Sequence, residues 1–475
     1  MEIDQEILSL NPDDLEIDPK AKALIKKLLN VLEHFAKEIA ELREEVQRLR
    51  GENARLKGEK GRPRILPNVK GTDVKEDKDE TEKKVWDKES KAAYVKINRT
   101  ETVTVDRRKL PKDAVFKGYR KVTVQEIKFE SDNIQFLIER YYSKSENRVY
   151  EGEFPNWVDG GFGPKLKALI INLYFAGRVP EGKIRTILTE MGIVISAGEI
   201  SDIITKADQE KFAVEKTSIF NAGMNASECI QSDDTGLRHK GVNHHVMIVC
   251  SQFFGAFFIN RYKDRETVRR IFGLEDGKLL DKILMSDNAR QFWEVAEEDA
   301  LCWVHDKRHY KKLTLWLLHF RRKLEDFMVE YRTFFRLLKE YKWHPMRGMK
   351  AHISKRFDEL FTTRSGYGEL DDRIAATYAE KEKLLRVLDH PSIPLDNNES
   401  ERGLREIVVK RLVSHGTRSE AGRKAWENMM TILDTCRKNG VSFYYYILDT
   451  LSKRYAMPRL SELVAQRAHS SSTTY

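Results

Sequence analysis

The clearest apolar pattern in the chain is a heptad repeat near its N-terminus. Apolar residues recur at alternating spacings of three and four over about five heptads, which is typical of a coiled coil. The core positions of the repeat are Ile25, Leu28, Leu32, Phe35, Ile39, Leu42, Val46, Leu49, Asn53 and Leu56. Glu38 stands five residues before Arg43, the spacing of ion pairs between parallel helices, and Glu45 with Arg50 repeats it. We predict a coiled coil over 21–58 that joins two protomers; a single amphipathic helix packed on its own chain is the alternative.

The segments on either side of the heptads differ from them in composition. Residues 1–20 are acidic, which predicts a loose tail. Residues 59–95 are rich in Lys, Glu, Asp and Gly and poor in apolar residues, which predicts a charged linker. Within it, Arg62 and Arg64 flank Pro63, and an extended basic segment of this kind fits the minor groove of A·T-rich DNA. A flexible basic linker without this role is the alternative.

Alternation of apolar and polar residues follows the linker. Over 96–155, short alternating runs between polar turns predict a small β-rich module. Its apolar positions are Val103, Val105, Val122, Val124, Ile127, Phe129, Phe136, Ile138 and Tyr141. The pattern then becomes helical over 156–222, where Ile184–Met191 and Ile200–Ile204 indicate either a helix-turn-helix or a plain helical pair. Ser196 is placed to cap the second helix.

Strand patterns return after residue 223 and define the largest predicted module. The predicted elements are strands at Ser227–Thr235, His245–Ser251 and Gly255–Asn260, a helix at Arg265–Phe272, a strand at Lys282–Ser286 and a helix at 291–300. This order is that of an RNase H-like core, divided here into 223–306 and 391–455 by a nearly all-helical insertion at 307–390. A polar tail follows at 456–475. The predicted fold class is therefore multi-domain α/β, with an RNase H-like core behind a coiled coil, a β-rich module and a helical region.

Three acidic positions occur in an order that such a core would bring together. Asp233 or Asp234 lies on the first strand, Asp287 ends the fourth, and Glu399 or Glu401 opens a later helix. Hard divalent cations prefer carboxylate oxygens, and two ions held by such carboxylates promote phosphoryl transfer. Each acid also has an ordinary structural explanation, namely a strand-ending turn, a helix cap and a capping box. Their joint occurrence favours the metal site.

Composition narrows the class of ligand. The 475 residues carry a net charge of +9, which points to a polyanionic partner, and their number predicts several modules.

Cys302 and His305 are too few ligands for a zinc site, so we assign them a structural role. The chain contains four widely spaced cysteines and no apolar run of membrane-spanning length, so we expect no disulfide framework, no membrane partner and a cytoplasmic location.

The motifs around the acids resemble those of the transposases of the insertion sequence 66 family. The resemblance covers 150–455. It rests on Ser232-Asp233-Asp234-Thr235, Met285-Ser286-Asp287, Cys302-Trp303-Val304-His305 with Arg308, Asp396-Asn397-Asn398 with Glu401, Arg402, Leu404 and Arg405, and Lys438-Asn439-Gly440-Val441 with Tyr446. It favours Asp233 over Asp234 and Glu401 over Glu399.

The resemblance implies a DDE transposase that cuts and joins double-stranded DNA at element ends with Mg²⁺, for which Mn²⁺ would substitute. Asp233, Asp287 and Glu401 would be the catalytic metal ligands. Arg308, Arg402 and Arg405 are assigned to DNA phosphates, which suit guanidinium groups; an ion pair with Glu401 is the alternative for Arg405. A homodimer or higher oligomer on the DNA, with small accessory proteins, is also implied.

One departure from the family concerns zinc. Family members usually carry a cysteine-based zinc module after the coiled coil, but 96–155 contains no cysteine, so we expect no zinc. Two other functions remain open at this point. One is a transposase-derived DNA-binding protein without catalysis, and the other is an RNase H-like nuclease that cleaves DNA without joining it.

Overall fold

The structure is a computed structural model. It describes residues 10–56, 97–106, 108, 110–111, 113–125, 130–313 and 316–472, so Arg62 and Arg64 lie outside the described residues. Two compact units are present, Met1–Glu44 with Ile134–Tyr475, and Glu45–Asn133. The larger unit contains the sheet and the predicted site.

The α-helices of the described chain, in order, are α1 (Pro19–Leu56), α2 (Pro164–Phe175), α3 (Glu181–Glu190), α4 (Ala197–Lys206), α5 (Gln209–Ala226), α6 (Arg265–Phe272), α7 (Trp303–Lys311), α8 (Leu318–Trp343), α9 (Arg347–Phe361), α10 (Gly368–Ala379), α11 (Lys381–Leu384), α12 (Asn398–Ser414), α13 (Glu420–Lys438), α14 (Phe443–Leu451) and α15 (Leu460–Ser472). The strands are β1 (Arg140–Ser143), β2 (Arg148–Glu151), β3 (Cys229–His239), β4 (Val242–Cys250), β5 (Gly255–Asn260), β6 (Leu280–Ser286) and β7 (Ala296–Leu301). None of these helices has an apolar stretch long enough to cross a bilayer.

A five-stranded mixed sheet is the centre of the larger unit. Its strand order is β5-β4-β3-β6-β7. The predicted antiparallel meander is present as β3, β4 and β5, while β6 pairs parallel with both β3 and β7. The fold is therefore mixed α/β, and β3 lies at the middle of the sheet.

The fifth strand corrects the sequence prediction. Residues 291–300 were predicted to be helical, but they contain only the end of a short 3-10 turn and most of β7. The sequence of β7, Ala-Glu-Glu-Asp-Ala-Leu, is rich in residues that are depleted in strands. Pairing with β6 over Ile283 to Ser286 outweighs that weak local preference.

The predicted β-rich module is also smaller than expected. Its described residues form one hairpin, β1–β2, in which Tyr141 pairs with Tyr150. The predicted strand positions Val103, Val105, Val122 and Val124 lie outside any strand and are between 66% and 92% exposed. Ile127 and Phe129 fall outside the described residues. Alternation predicts a strand only where a second surface covers its apolar face.

Two apolar cores support the larger unit. The first lies between the sheet and the surrounding helices, including the α3–α4 pair, and contains Ile248, Phe257 and Trp426. The second fills the helical segment between β7 and α12, where Trp303 packs against aromatic rings including Tyr331 and Phe357. The described residues of the predicted helical insertion, 307–390, are largely helical, as the sequence predicts.

Helix α1 packs on this helical segment through Leu29, Glu33 and the first heptad residue, Ile25. Leu29 is buried, and the Glu33 carboxylate accepts hydrogen bonds from the backbone N–H groups of Trp316 and Leu317, at 2.7 and 3.1 Å. The heptad positions Leu28, Leu32, Phe35, Ile39, Leu42, Val46 and Leu49 remain exposed. The chain thus uses one face of α1 internally and leaves the rest of the apolar stripe open.

Candidate active site

Strand β3 places two adjacent aspartates on opposite faces of the sheet, since consecutive side chains of a strand alternate. Asp233 pairs with Ile248 of β4 and is half-buried. The Asp234 carboxylate instead accepts a hydrogen bond from Gln291 Nε2 at 2.8 Å. Because β3 continues to His239, the strand-ending turn considered for Asp234 is wrong. The two aspartates therefore have separate surroundings.

Asp287 lies level with Asp233 on the neighbouring parallel strand. Gln231 pairs with Met285, and Asp233 and Asp287 each stand two residues further along their chain segments. Asp287 follows the last residue of β6, and its Oδ1 accepts a hydrogen bond from the N–H of Ala289 at 3.1 Å. The carboxylate thus shapes the turn after β6 while lying beside the position of Asp233.

Helix α12 brings Glu401 to the same edge because it approaches the sheet closely. A Cβ atom on Gly403 would lie 2.3 Å from Ile248 Cδ1, so a larger residue would force the Ile248 side chain to move. The start of α12 therefore lies close to β4 beside β3, and Glu401 lies in the turn before Gly403.

The Glu401 carboxylate is held by α7. Arg308 binds it with both guanidinium N–H₂ groups, at 2.8 and 2.9 Å, and His305 Nε2 lies 3.4 Å from Oε1. Burial lowers the pKa of His305. The capping box considered for Glu401 is not formed, because its carboxylate is engaged by Arg308 and the N-cap residue is Asn397.

Glu399 lies in the same turn but faces a different cluster. Its Oε2 is 3.2 Å from Lys438 Nζ, which also lies 3.4 Å from Asp434 Oδ2. The Lys438 side chain is 9% exposed and donates hydrogen bonds to the carbonyl oxygens of Ser251 and Phe254. The sequence had flagged Lys438 as part of a motif without assigning it a role; here it ties α13 to α12 and to the turn after β4.

A buried junction joins β3 and α12, which carry two of the three acids, to the start of α7. Asn397 is fully buried and donates from Nδ2 to the carbonyl oxygen of Ser232 on β3, at 3.2 Å. Its own N–H binds Cys302 Sγ at 3.2 Å, and the N–H of Trp303 binds the carbonyl oxygen of Leu395 at 3.1 Å. Cys302 therefore contacts the segment that leads into α12 and helps to position it.

The charges of the three acids act on one another. Burial raises the pKa of Asp233 to about 7, and repulsion by Asp287, Asp234 and Glu401 contributes to the increase. Burial would also raise the pKa of Glu401, but the hydrogen bonds and charge of Arg308, aided by His305 and Arg405, lower it below its usual value. Arg308 thus offsets the negative charge of Glu401, whereas the neighbouring charges that act most strongly on Asp233 are those of other carboxylates.

The three acids do not form a complete metal-binding site in this structure. In the described part of the chain, no three His, Cys, Asp or Glu side chains converge closely enough to hold a metal ion. Arg308 occupies both oxygen atoms of Glu401. A cation shared by the three acids would therefore require Arg308 to release Glu401.

The family relationship agrees with this geometry. Residues 159–425, which include all three acids, match the family described as Transposase IS66 family. The chain belongs to the insertion sequence 66 transposase family. It is 39% identical over 193 residues to the uncharacterized protein y4jO of Sinorhizobium fredii, and 32% identical over 89 residues to the uncharacterized protein y4qI of the same organism. The matches cover 40% and 19% of this chain, and 60% and 16% of those relatives.

In this member of the insertion sequence 66 transposase family, the other arginines predicted to contact DNA do not bind Glu401. Arg402 is 73% exposed and lies 3.3 Å from Glu399, so it faces away from Glu401. Arg405 is also exposed, and Arg308 rather than Arg405 makes the hydrogen bonds to Glu401. These arginines are therefore available to an approaching anion, whereas Arg308 must first leave Glu401.

Proposed function

We propose that this protein cuts DNA at the ends of an insertion sequence and joins those ends to target DNA by metal-dependent phosphoryl transfer. The observation that carries the proposal is the placement of Asp233 on the central strand, Asp287 directly after its parallel neighbour and Glu401 on α12, where Asp287 and Glu401 both help to raise the pKa of Asp233. Carboxylates that lie close together and repel one another indicate a site that binds a cation.

An RNase H-like core is part of this proposal. Three antiparallel strands are followed by two parallel ones, and the order β5-β4-β3-β6-β7 puts the first strand in the middle. This topology supports an RNase H-like core, with the segment from α7 to α11 as the helical insertion. The acids then stand on the central strand, at the end of its parallel neighbour and on the first helix after the insertion.

The donor set fits Mg²⁺, with Mn²⁺ as its substitute, because carboxylate oxygens are the ligands that these hard cations prefer. Asp233, Asp287 and Glu401 would hold the metal, which supplies charge stabilisation at the reacting phosphate. Asn397 and Cys302 hold β3, α7 and α12 in fixed relative positions. When DNA enters, Arg308 would exchange the Glu401 carboxylate for a phosphate oxygen, an equally suitable bidentate partner for a guanidinium group.

A dimer formed through α1 completes the proposal. Its heptad face is apolar and exposed, while the helix packs on its own chain through Leu29 and Glu33. A second copy of α1 fits this stripe, with Glu38 and Glu45 near Arg43 and Arg50 of the partner helix. Sedimentation of a Leu28→Glu, Leu42→Glu variant tests it: we expect monomers, and an unchanged dimer would exclude this interface.

The test of the reaction is strand joining. Purified protein is incubated with Mg²⁺ and a precleaved element-end duplex, beside an Asp287→Asn variant and a matched Asp281→Asn control on β6. We expect joined product from wild type and from the control, and none from Asp287→Asn. Specific binding of the duplex without cleavage or joining, unaltered by Asp287→Asn and not rescued by Mn²⁺ or accessory proteins, would instead favour a transposase-derived DNA-binding protein. Cleavage without joining would favour a nuclease.

A further inference from the structure

An open basic cavity lies next to the carboxylate site. It has a volume of about 1000 Å³ and is bounded by the loop before α6, by α6 itself and by the turn that follows Asp287. Its cationic lining residues are Lys263, Arg265, Arg269, Arg270 and Arg290. Its acidic lining residues are Asp264, Glu266 and Asp276, so cations exceed carboxylates by five to three.

The sequence of α6 explains why the cations face the cavity. Thr267 and Val268 are buried, which turns the neighbouring arginines outward. Arg269 donates to the carbonyl oxygen of Glu275 at 2.6 Å, and Arg270 donates to Asn260 Oδ1 at 3.1 Å. Because these acceptors are neutral, the bonds orient the two guanidinium groups without cancelling their charge.

One of the acids contributes less to the cavity than its charge suggests. The Asp264 carboxylate accepts a hydrogen bond from the N–H of Thr267 at 2.8 Å and caps α6. A helix N-terminus carries partial positive charge, which offsets part of this negative charge. Two of the cations are also partly offset, because Arg265 is paired with Glu294 and Lys263 lies close to Asp234. The positive charge of the cavity therefore rests mainly on Arg269, Arg270 and Arg290.

The cavity lies beside the turn that follows Asp287, on the face of the sheet opposite to Asp233. Gln291 lines the cavity and donates to Asp234 Oδ1 at 2.8 Å, and Lys263 Nζ lies 3.5 Å from Asp234 Oδ2. Arg290 stands three residues after Asp287. DNA bound at the three acids would therefore reach the cavity across the turn from Asp287 to Arg290.

We infer that this cavity binds the phosphodiester backbone of the DNA on one side of the phosphate that reacts. The inference rests on the proposed function, since it places the DNA relative to the three acids. A cluster of carboxylates repels DNA, and cations beside it supply the attraction that brings a phosphate close. Contacts of this kind position the DNA without reading its sequence.

The test uses full-length Arg270→Gln, Arg290→Gln protein and measures affinity for an element-end duplex at several salt concentrations. Each lost phosphate contact lowers the slope of log affinity against log salt by about 0.9, so we expect a decrease of about 1.8. The control is Arg332→Gln, Arg336→Gln on α8, which removes the same charge and should keep the wild-type slope. Thermal unfolding verifies that both variants are folded.

A second variant tests the cavity without removing its arginines. Glu266→Gln, Asp276→Asn reduces its negative charge, and we expect roughly threefold tighter DNA binding at an unchanged slope. Equal slopes for wild type and Arg270→Gln, Arg290→Gln, or equal losses in the α8 control, would overturn the inference. If the cavity variant alone loses slope while wild type joins no strands, the DNA contact stands and the proposed reaction falls.

Discussion

Glu399 and Glu401 stand two residues apart on α12, yet they belong to different chemical environments. Glu399 faces Lys438 and Asp434 in a cluster whose lysine side chain is 9% exposed. Glu401 faces Arg308, which is 46% exposed, beside the half-buried Asp233. A cation that is part of the fold compensates the first carboxylate, and a cation able to leave compensates the second. From this difference we propose a supporting role for Glu399 and metal binding for Glu401.

The largest expected difference is in strand joining. Glu401→Gln should lower the rate by roughly a thousandfold or more, as expected when a group essential to the reaction is removed. Glu399→Gln should retain between about a hundredth and a tenth of the wild-type rate, because residues that support metal ligands typically contribute 10–100-fold. Rates with a precleaved duplex and Mg²⁺ measure both. Equal losses would remove the distinction between the two acids.

Loss of the buried lysine should mainly affect stability. Lys438→Met leaves Asp434 without its buried cation and Glu399 with only the exposed Arg402, and removing one partner of a buried ion pair costs about 3–5 kcal/mol. Urea unfolding measures the change in the free energy of unfolding. Lys424→Met, on the exposed face of the same helix, should change it by less than about 0.5 kcal/mol. A similar small effect of both substitutions would mean that the cluster does not support α12.

The pH dependence of stability should reveal the raised pKa of Asp233. Its folded-state pKa of about 7 lies well above the ordinary aspartate value, so protonation favours the folded state. In metal-free protein this favourable effect is present at pH 4 and is lost as the pH rises towards 7. Asp233→Asn should therefore be more stable than wild type at pH 8 in EDTA, by roughly 2–4 kcal/mol, and similar to it at pH 4. Parallel stability curves for the two proteins would contradict this.

The smallest expected effect is on metal affinity. Arg308→Gln removes the cation that competes for Glu401, so Mn²⁺ should bind about tenfold more tightly, a gain of about 1.4 kcal/mol. Titration calorimetry with Mn²⁺ in the absence of DNA measures this change. Arg402→Gln, which removes an exposed arginine paired with Glu399, is the matched control and should leave Mn²⁺ affinity unchanged. Weaker Mn²⁺ binding by Arg308→Gln would show that Arg308 holds Glu401 in place for the metal and does not compete with the metal for it.

Local sequence patterns were sufficient for the elements that carry the acids. The meander of β3 to β5, helix α6 with its bounds Arg265–Phe272, strand β6 and helix α12 all follow from apolar periodicity and turn residues. Strand β7 does not, because its sequence lacks strand-forming residues and only the parallel pairing with β6 selects its conformation.

The partners of the acids could not be derived from local pattern. Arg308 meets Glu401 across 93 residues, and Lys438 meets Glu399 from another helix. Such contacts depend on tertiary packing, and spacing along the chain contains no signal for them. The family motifs marked Arg308 and Lys438, but their charges could be paired with particular acids only in three dimensions.

The most direct test of the account is the position of the metal itself. Crystals of the protein with an element-end duplex and Mn²⁺ would locate the ion by its anomalous scattering. We predict a peak bound by oxygen atoms of Asp233, Asp287 and Glu401, with Arg308 released from Glu401 onto a DNA phosphate. A peak bound by Glu399 and Asp434 instead, or a bound DNA end with Arg308 still on Glu401 and no ion at the three acids, would contradict it.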